Sequence, residues 1–193
     1  MITSKKELKY YLSQDAIALK CENKRHPKIF GDEVWKFQIT LRKTEYYNNL
    51  YRNSKKFYIF HLLFYRIKFH KLSVKLGFSI PLNVFGPGLS IAHYGTIVVN
   101  SAAKVGKNCR IQEGVNIGAT SGSSKAPQIG DNVFIGTGAK IIGDISIADD
   151  VSIGANAVVV KSITESGVTF AGVPAKKISD NNSHSNLAPK LFT

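Results

Sequence analysis

The chain has 193 residues, with 26 Lys plus Arg against 13 Asp plus Glu and a formal net charge of +13. That balance points first to nucleic acid or an anionic surface as partner. With 44% hydrophobic and 20% charged residues, the chain carries enough apolar side chain to build a core, which excludes wholesale disorder. Two cysteines, Cys21 and Cys109, are too few for a disulfide scaffold and their spacing suggests no metal site. A reducing compartment, hence a cytoplasmic protein, is the expectation.

The charge is uneven. Residues 1–80 hold 17 Lys or Arg and 6 Asp or Glu, net +11, whereas residues 81–193 hold 9 and 7, net +2. Composition therefore divides the chain near Pro81. The start, Met1-Ile-Thr-Ser-Lys-Lys-Glu-Leu-Lys, has no apolar core of signal-peptide length. The most apolar stretch, 57–65, is interrupted by His61 and followed by Arg66 and Lys68. It falls well short of the roughly 20 residues a spanning helix needs, so a soluble or peripheral protein is expected.

Up to Leu76 the pattern is helical. Leu8, Leu12 and Ile17, and later Phe60, Leu63, Phe64, Ile67 and Val74, recur at three- and four-residue spacing. Asn53 and Ser54 are the expected caps of the second stretch, and Pro27, Gly31 and Asp32 punctuate a loop between the two. The segment from Tyr51 to Lys75 interleaves aromatics with cations. Two uses stand open: packing on the rest of the molecule or a partner subunit, or peripheral contact with an anionic membrane. No helix-turn-helix, zinc-finger or aromatic-strand signature accompanies the charge, so no nucleic-acid partner is assigned.

After Pro81 the period becomes six. Counting from Val99 gives Val105, Ile111, Ile117, Ser123, Ile129, Ile135, Ile141, Ile147, Ile153 and Val159, with Val or Ile at ten of eleven places. Positions two residues earlier, such as Ala103, Cys109, Val115, Val133 and Ala139, are small or apolar. Gly106, Gly118, Gly130, Gly136 and Gly154 follow the aliphatic, where a tight turn would use positive φ. A coil of short parallel strands explains the period: each aliphatic points to the axis, and stacked turns bury a core no single repeat could form. The one miss, Ser123, sits in a Gly/Ser-rich stretch, 120–127, that reads as a loop extruded from the coil.

Counting back from Val99 lands on His93, an imidazole where the pattern expects an aliphatic. A local rule broken inside a consistent pattern marks a functional position, against the alternative of a corner histidine satisfied by a carbonyl. His26, His61, His70 and His184 lie outside the repeat, so a three-histidine zinc site is not assembled and no metal is expected.

The stretch 86–179 resembles the hexapeptide-repeat acyltransferases, in particular the serine acetyltransferase branch and related surface-polysaccharide O-acetyltransferases. The resemblance is carried by Gly88-Leu-Ser-Ile-Ala-His93, Ile111-Gln-Glu-Gly-Val-Asn-Ile-Gly-Ala119, Ile135-Gly-Thr-Gly-Ala-Lys-Ile-Ile-Gly143, Ile153-Gly-Ala-Asn-Ala-Val-Val-Val-Lys161 and Ala171-Gly-Val-Pro-Ala-Lys176. It implies a mainly β fold: a left-handed parallel β-helix catalytic domain (81–164) behind a smaller basic α-helical domain (1–80), with a C-terminal turn and tail (165–193) near the cofactor groove. It further implies an acetyl-CoA-dependent O-acetyltransferase that assembles as a homotrimer or a dimer of trimers, with no metal.

In such enzymes the histidine matching His93 is the general base for the acceptor hydroxyl, a task suited to an imidazole because it titrates near operating pH. Ala119, Thr137 and Gly138 would line the pantetheine path, and Lys161, Lys176 and Lys177 would meet the CoA phosphates. Gly172 and Pro174 read as the turn that returns the tail to the cofactor. Three departures from the serine acetyltransferase pattern stand out: Ala92 where an Asp precedes the base, Ala126 where a second His is expected, and Phe78 where an Asp orients the base. A site stripped of such groups discriminates poorly for free serine. A sugar hydroxyl of a surface polysaccharide or its precursor is therefore the preferred acceptor, with serine O-acetylation and a non-catalytic β-helix subunit as the alternatives.

Overall fold

A computed structural model describes residues 1–53 and 56–192. Three helices lead the chain: α1 (Lys5–Ala18), α2 (Glu33–Arg52) and α3 (Ile59–Leu76). A capping box starts α1, in which Ser4 Oγ accepts from Glu7 N–H while the Glu7 carboxylate accepts from Ser4 N–H. The loop around Pro27, Gly31 and Asp32 separates α1 from α2, as the punctuation predicts. Asn53 does not cap α3; it is the C-cap residue of α2, and Ser54 lies outside the described residues. A short 3-10 turn, Lys56–Tyr58, leads into α3 instead.

The apolar spacing in α3 is helical as expected, but the face it selects is the outer one. Phe60 is 79% exposed, and Phe64, Ile67 and Val74 are also exposed. Leu62 and Leu76 are buried, and Phe69 and Leu72 pack on the main core. Among the described residues no helix is long and apolar enough to cross a membrane.

From Phe78 onward the chain winds as a prism of three parallel sheets. One face stacks β1 (Phe78–Ser79), β3 (Ile97–Val99), β6 (Asn116–Gly118), β9 (Lys140–Ile142) and β12 (Val158–Val159). The second stacks β2 (Ser90–Ile91), β5 (Arg110–Ile111), β8 (Phe134–Ile135), β11 (Ser152–Ile153) and β13 (Thr169–Ala171), with β14 (Lys176–Ser179) folded back antiparallel on β13. The third holds β4 (Lys104–Val105), β7 (Gln128–Ile129) and β10 (Ser146–Ile147). This is the left-handed parallel β-helix that the resemblance implies.

Eighteen residues make a turn where Ile135 pairs with Ile153 and Ile141 pairs with Val159. Between Ile111 and its partner Ile135 the spacing grows to 24, the difference being the loop before β7, exposed from Thr120 to Lys125. Each aliphatic of the six-residue series except Ser123 is buried on the axis. Burying such a side chain stabilises by about 1.5–3 kcal/mol, which is why stacking, not strand length, holds strands of two or three residues.

The glycines of the repeat do a different job from the one expected. None of Gly106, Gly118, Gly130, Gly136 and Gly154 has positive φ. They are glycine because adjacent turns come too close for a side chain: a Cβ on Gly106 would lie 2.6 Å from Gly130 O. The left-handed corner conformation falls instead to Asn108, Asn132 and Asp150, with φ of 57°, 56° and 62°, residue types that tolerate it. Their side chains form a ladder, Asn108 Nδ2 donating to Asn132 Oδ1 and Asn132 Nδ2 to Asp150 Oδ1, each at 2.8 Å.

The helices grip the top of the coil through buried polar side chains. Arg42 of α2 donates to Asp15 of α1, to Glu45, and to the carbonyls of Phe85 and Gly86. Gln38 runs along the open edge of β2, its Nε2 donating 2.7 Å to Leu89 O and its Oε1 accepting 3.0 Å from Ile91 N–H. A side chain thus supplies the ladder partner that an edge strand lacks.

Candidate active site

The column of corners that follows β2, β5, β8 and β11 gathers the expected site. The registers Ile91 with Ile111 and Val99 with Ile117 overturn the count that placed His93 on the axis. Ile91 fills the aliphatic position. Eight residues separate Ile91 from Val99 where six separate Ile111 from Ile117, so this corner is two residues longer than the one beneath it. The longer corner turns His93 and Tyr94 outward: both are exposed, and Tyr94 is 72% so. Counting by sixes singled out His93, but the position it fills is an outward corner and not the axis. The ring of His93 has no hydrogen-bond partner among the described residues, whereas the backbone on either side is fixed, by Ala92 N–H to Ile111 O at 3.0 Å and Gly95 N–H to Leu76 O at 3.0 Å.

Directly below lies the corner Gln112-Glu113-Gly114, with Gly114 N–H donating 2.7 Å to Thr96 O. Below that comes Thr137-Gly138, where Gly138 N–H donates 2.8 Å to Glu113 O and has φ of 73°. Gln112 locks this third corner, because its Oε1 accepts from both Thr137 N–H (3.0 Å) and Thr137 Oγ1 (2.8 Å). At Gly138 a Cβ would lie 2.0 Å from Asn156 Oδ1, so that side of the residue is filled by the Asn156 side chain. Ala119 is half-buried just after β6, on the neighbouring side of the coil.

At the lower end of the coil, Lys161 and the adjacent Lys176 and Lys177 line one cavity of about 370 Å³ with Pro174. Lys161 and Lys176 are exposed and have no carboxylate within 4 Å among the described residues. Lys177 is already paired with Asp180 (2.5 Å) and Glu165 (2.7 Å), which raise its pKa and compete with any anion. Gly172 (φ 96°) and Pro174 form the turn between β13 and β14 that brings Lys176 back to this cavity.

A larger cavity, about 640 Å³, opens between α3 and the first strands, lined by His70, Ser73, Phe78, Thr96 and others. It reaches Thr96, three residues beyond His93, and offers room for an acceptor. The three departures noted above are apolar in place. Ala126 is buried, Ala92 is half-buried, and Phe78 is a core residue packed edge-on against Phe37 at 4.9 Å. No carboxylate could stand at Phe78 without opening the junction of α2 and the coil. Among the described residues no three His, Cys, Asp or Glu side chains gather in a metal-holding group. Residue-by-residue reading passed over Gln112 and Glu113, because polar residues facing out of a repeat carry no signal until the corners are stacked.

The model of the bacterial transferase hexapeptide family (six repeats) matches residues 126–161. A serine acetyltransferase of Mycobacterium tuberculosis is 41% identical over 100 residues, covering 51% of this chain and 43% of that protein. The crystal structure of serine acetyltransferase from Brucella abortus strain S19 superposes with a TM-score of 0.69 at 30% identity, covering 92% of this chain and 71% of that one. A structure from the same strain in complex with coenzyme A gives 0.66 at 28%, covering 92% and 70%. The chain spans 38% to 54% of the length of the first curated relatives it matches.

Proposed function

The chain belongs to the serine acetyltransferase family of hexapeptide-repeat transferases, and from that premise we propose that it transfers the acetyl group of acetyl-CoA to a hydroxyl, with His93 as general base. One observation carries the reading. A single column of corners sets an exposed imidazole, without a partner among the described residues, above the Thr137-Gly138 step and runs down to a cavity with two lysines that pair with no carboxylate there.

Such a surface fits an extended ligand with a thioester at one end and phosphates at the other. Lys161 and Lys176 attract phosphate oxygens. Lys177, held by two carboxylates, contributes less than its position in the sequence implies. The imidazole of His93 takes the proton of the acceptor hydroxyl as its oxygen attacks the thioester carbonyl, and then returns that proton to the departing thiolate. A base so placed contributes about 10²–10⁴ in rate.

Serine is the acceptor that the relatives' names favour. A saccharide hydroxyl is the second reading, favoured by apolar Ala92, Ala126 and Phe78, which leave the amino and carboxylate groups of serine without the partners the family pattern supplies. The cavity beside Thr96 is where either acceptor would enter. A cytoplasmic homotrimer, or a dimer of trimers, completes the proposal, with the outward aromatics of α3 covered by a neighbouring subunit.

The test is thiol release from acetyl-CoA against serine and a panel of sugars. Turnover with serine supports the first reading, and turnover with sugars alone supports the second. No release with any acceptor, together with no binding of CoA, overturns both. His93→Ala is expected to lower kcat by about 10²-fold or more with unchanged far-UV circular dichroism. Full activity in that variant refutes the assigned base.

A further inference from the structure

Glu113 holds the one polar atom of the corner column that the fold leaves unexplained. Its Oε2 is shut off from solvent and has no hydrogen-bond partner among the described residues. A carboxylate oxygen cut off from both water and donors is among the most unfavourable polar groups to bury, and native structures keep one where it has work to do.

Its surroundings narrow what that work is. Glu113 stands directly beneath the long corner: a Cβ built on Gly95 would lie 3.0 Å from Glu113 Cβ, and Gly114 N–H bonds Thr96 O just above. The longer corner directly above Glu113 is the one that turns His93 and Tyr94 outward. Neighbouring polar side chains are committed elsewhere. Gln112 Oε1 serves Thr137, and Lys140 Nζ donates to Gly114 O without pairing to Glu113. The imidazole just above lacks a partner in its turn.

We propose that Glu113 is the positioning residue of the base: its carboxylate accepts a hydrogen bond from the ring N–H of His93. This fixes which nitrogen is free to take the acceptor proton. An imidazole can serve as base only when its other nitrogen is held in the correct tautomer. A carboxylate from the next turn of the coil thus does what no residue at Phe78 or Ala92 can do. The inference rests on the reading of His93 as general base.

Ring 15N spectra of the free, full-length protein near neutral pH test it directly, since they report which nitrogen of His93 carries the proton without any need for turnover. Glu113→Gln, which removes the charge and keeps the shape, is expected to change the His93 ring signals, and Glu113→Ala to change them further. In the thiol-release assay kcat should fall by about 10- to 100-fold, part of what a positioned base contributes, while KM for acetyl-CoA stays within about twofold because Glu113 does not touch the phosphates. Ring signals of both variants that superimpose on those of the parent overturn the proposal, as does an unchanged kcat. Should the alanine variant fail to fold, the glutamine variant decides on the same two readouts. A parent protein that acetylates nothing refutes the enzyme reading, while the ring spectra still report whether Glu113 holds His93.

Discussion

Replacing Arg42 by Met should unfasten the helices from the coil. Arg42 is fully buried, and all five of its N–H groups are used: Nε to Asp15 Oδ2 (2.8 Å), Nη1 to Glu45 Oε2 (3.1 Å) and Phe85 O (2.9 Å), Nη2 to Asp15 Oδ1 (3.2 Å) and Gly86 O (2.6 Å). Asp15 Oδ1 also accepts from Gly88 and Leu89 N–H, and Glu45 Oε1 from Asn83 N–H. Methionine keeps much of the stem volume but leaves two buried carboxylates without their cation and two carbonyls without a donor. Removing one partner of such a buried network costs about 3–5 kcal/mol.

The loss should depend on pH. Burial pushes the Glu45 carboxyl above its ordinary value, and Arg42 pulls it back down. Without Arg42 its folded-state pKa rises further. A carboxyl whose folded pKa lies above its unfolded one costs nothing in acid and costs progressively more as pH climbs from the unfolded value towards the folded one. Urea unfolding followed by far-UV circular dichroism should therefore show the full deficit near neutral pH and a smaller one near about pH 4, where free carboxyls begin to protonate. A deficit under about 1 kcal/mol at neutral pH, or one that does not shrink in acid, refutes the assignment of Arg42 as the clasp.

Two further outcomes follow from the coil. Gly106→Ala places a Cβ 2.2 Å from Asp131 Oδ1 and 2.6 Å from Gly130 O, and backbone cannot yield as a side chain can; a loss of about 1–3 kcal/mol is expected, and an unchanged melting temperature would show that the turns can spread. Burial pushes the Cys109 thiol up to about 12, so it should resist an aromatic disulfide reagent at neutral pH until denaturant is added. Prompt reaction in the native protein would mean that the axis of the coil is open.

How much of this was legible depends on the range of the interactions involved. The coil repeats a local unit, so the six-residue period and the loop around Ser123 could be read directly: Ile129, Ile135 and Ile141 each bury their side chain in the same way. The role of the repeat glycines could not be read. Positive φ and close approach both favour glycine, and only the stacked turns show that Gly106 serves the second. In α3 the spacing of Phe60, Phe64 and Ile67 gave a helix but not its buried face, because two apolar stripes run along it and packing on α2 and the first coil selects the one with Leu62 and Leu76.

At the site, the motif ending in His93 and the lysines at positions 161, 176 and 177 were visible as residue types at known spacing. Sequence by itself determined the period, the extruded loop and the choice of His93 as candidate base, since each is written in consecutive residues. Tertiary structure alone decided that Ile91 holds the core register while His93 stands outside it, that Lys177 is already paired with two carboxylates, and that Glu113 Oε2, one turn below, has no partner among the described residues. The physical reason is the same in each case. Residues 18 or more apart are set one above another by strand pairing, and which side chains then meet depends on small differences in corner length that a count along the chain does not register.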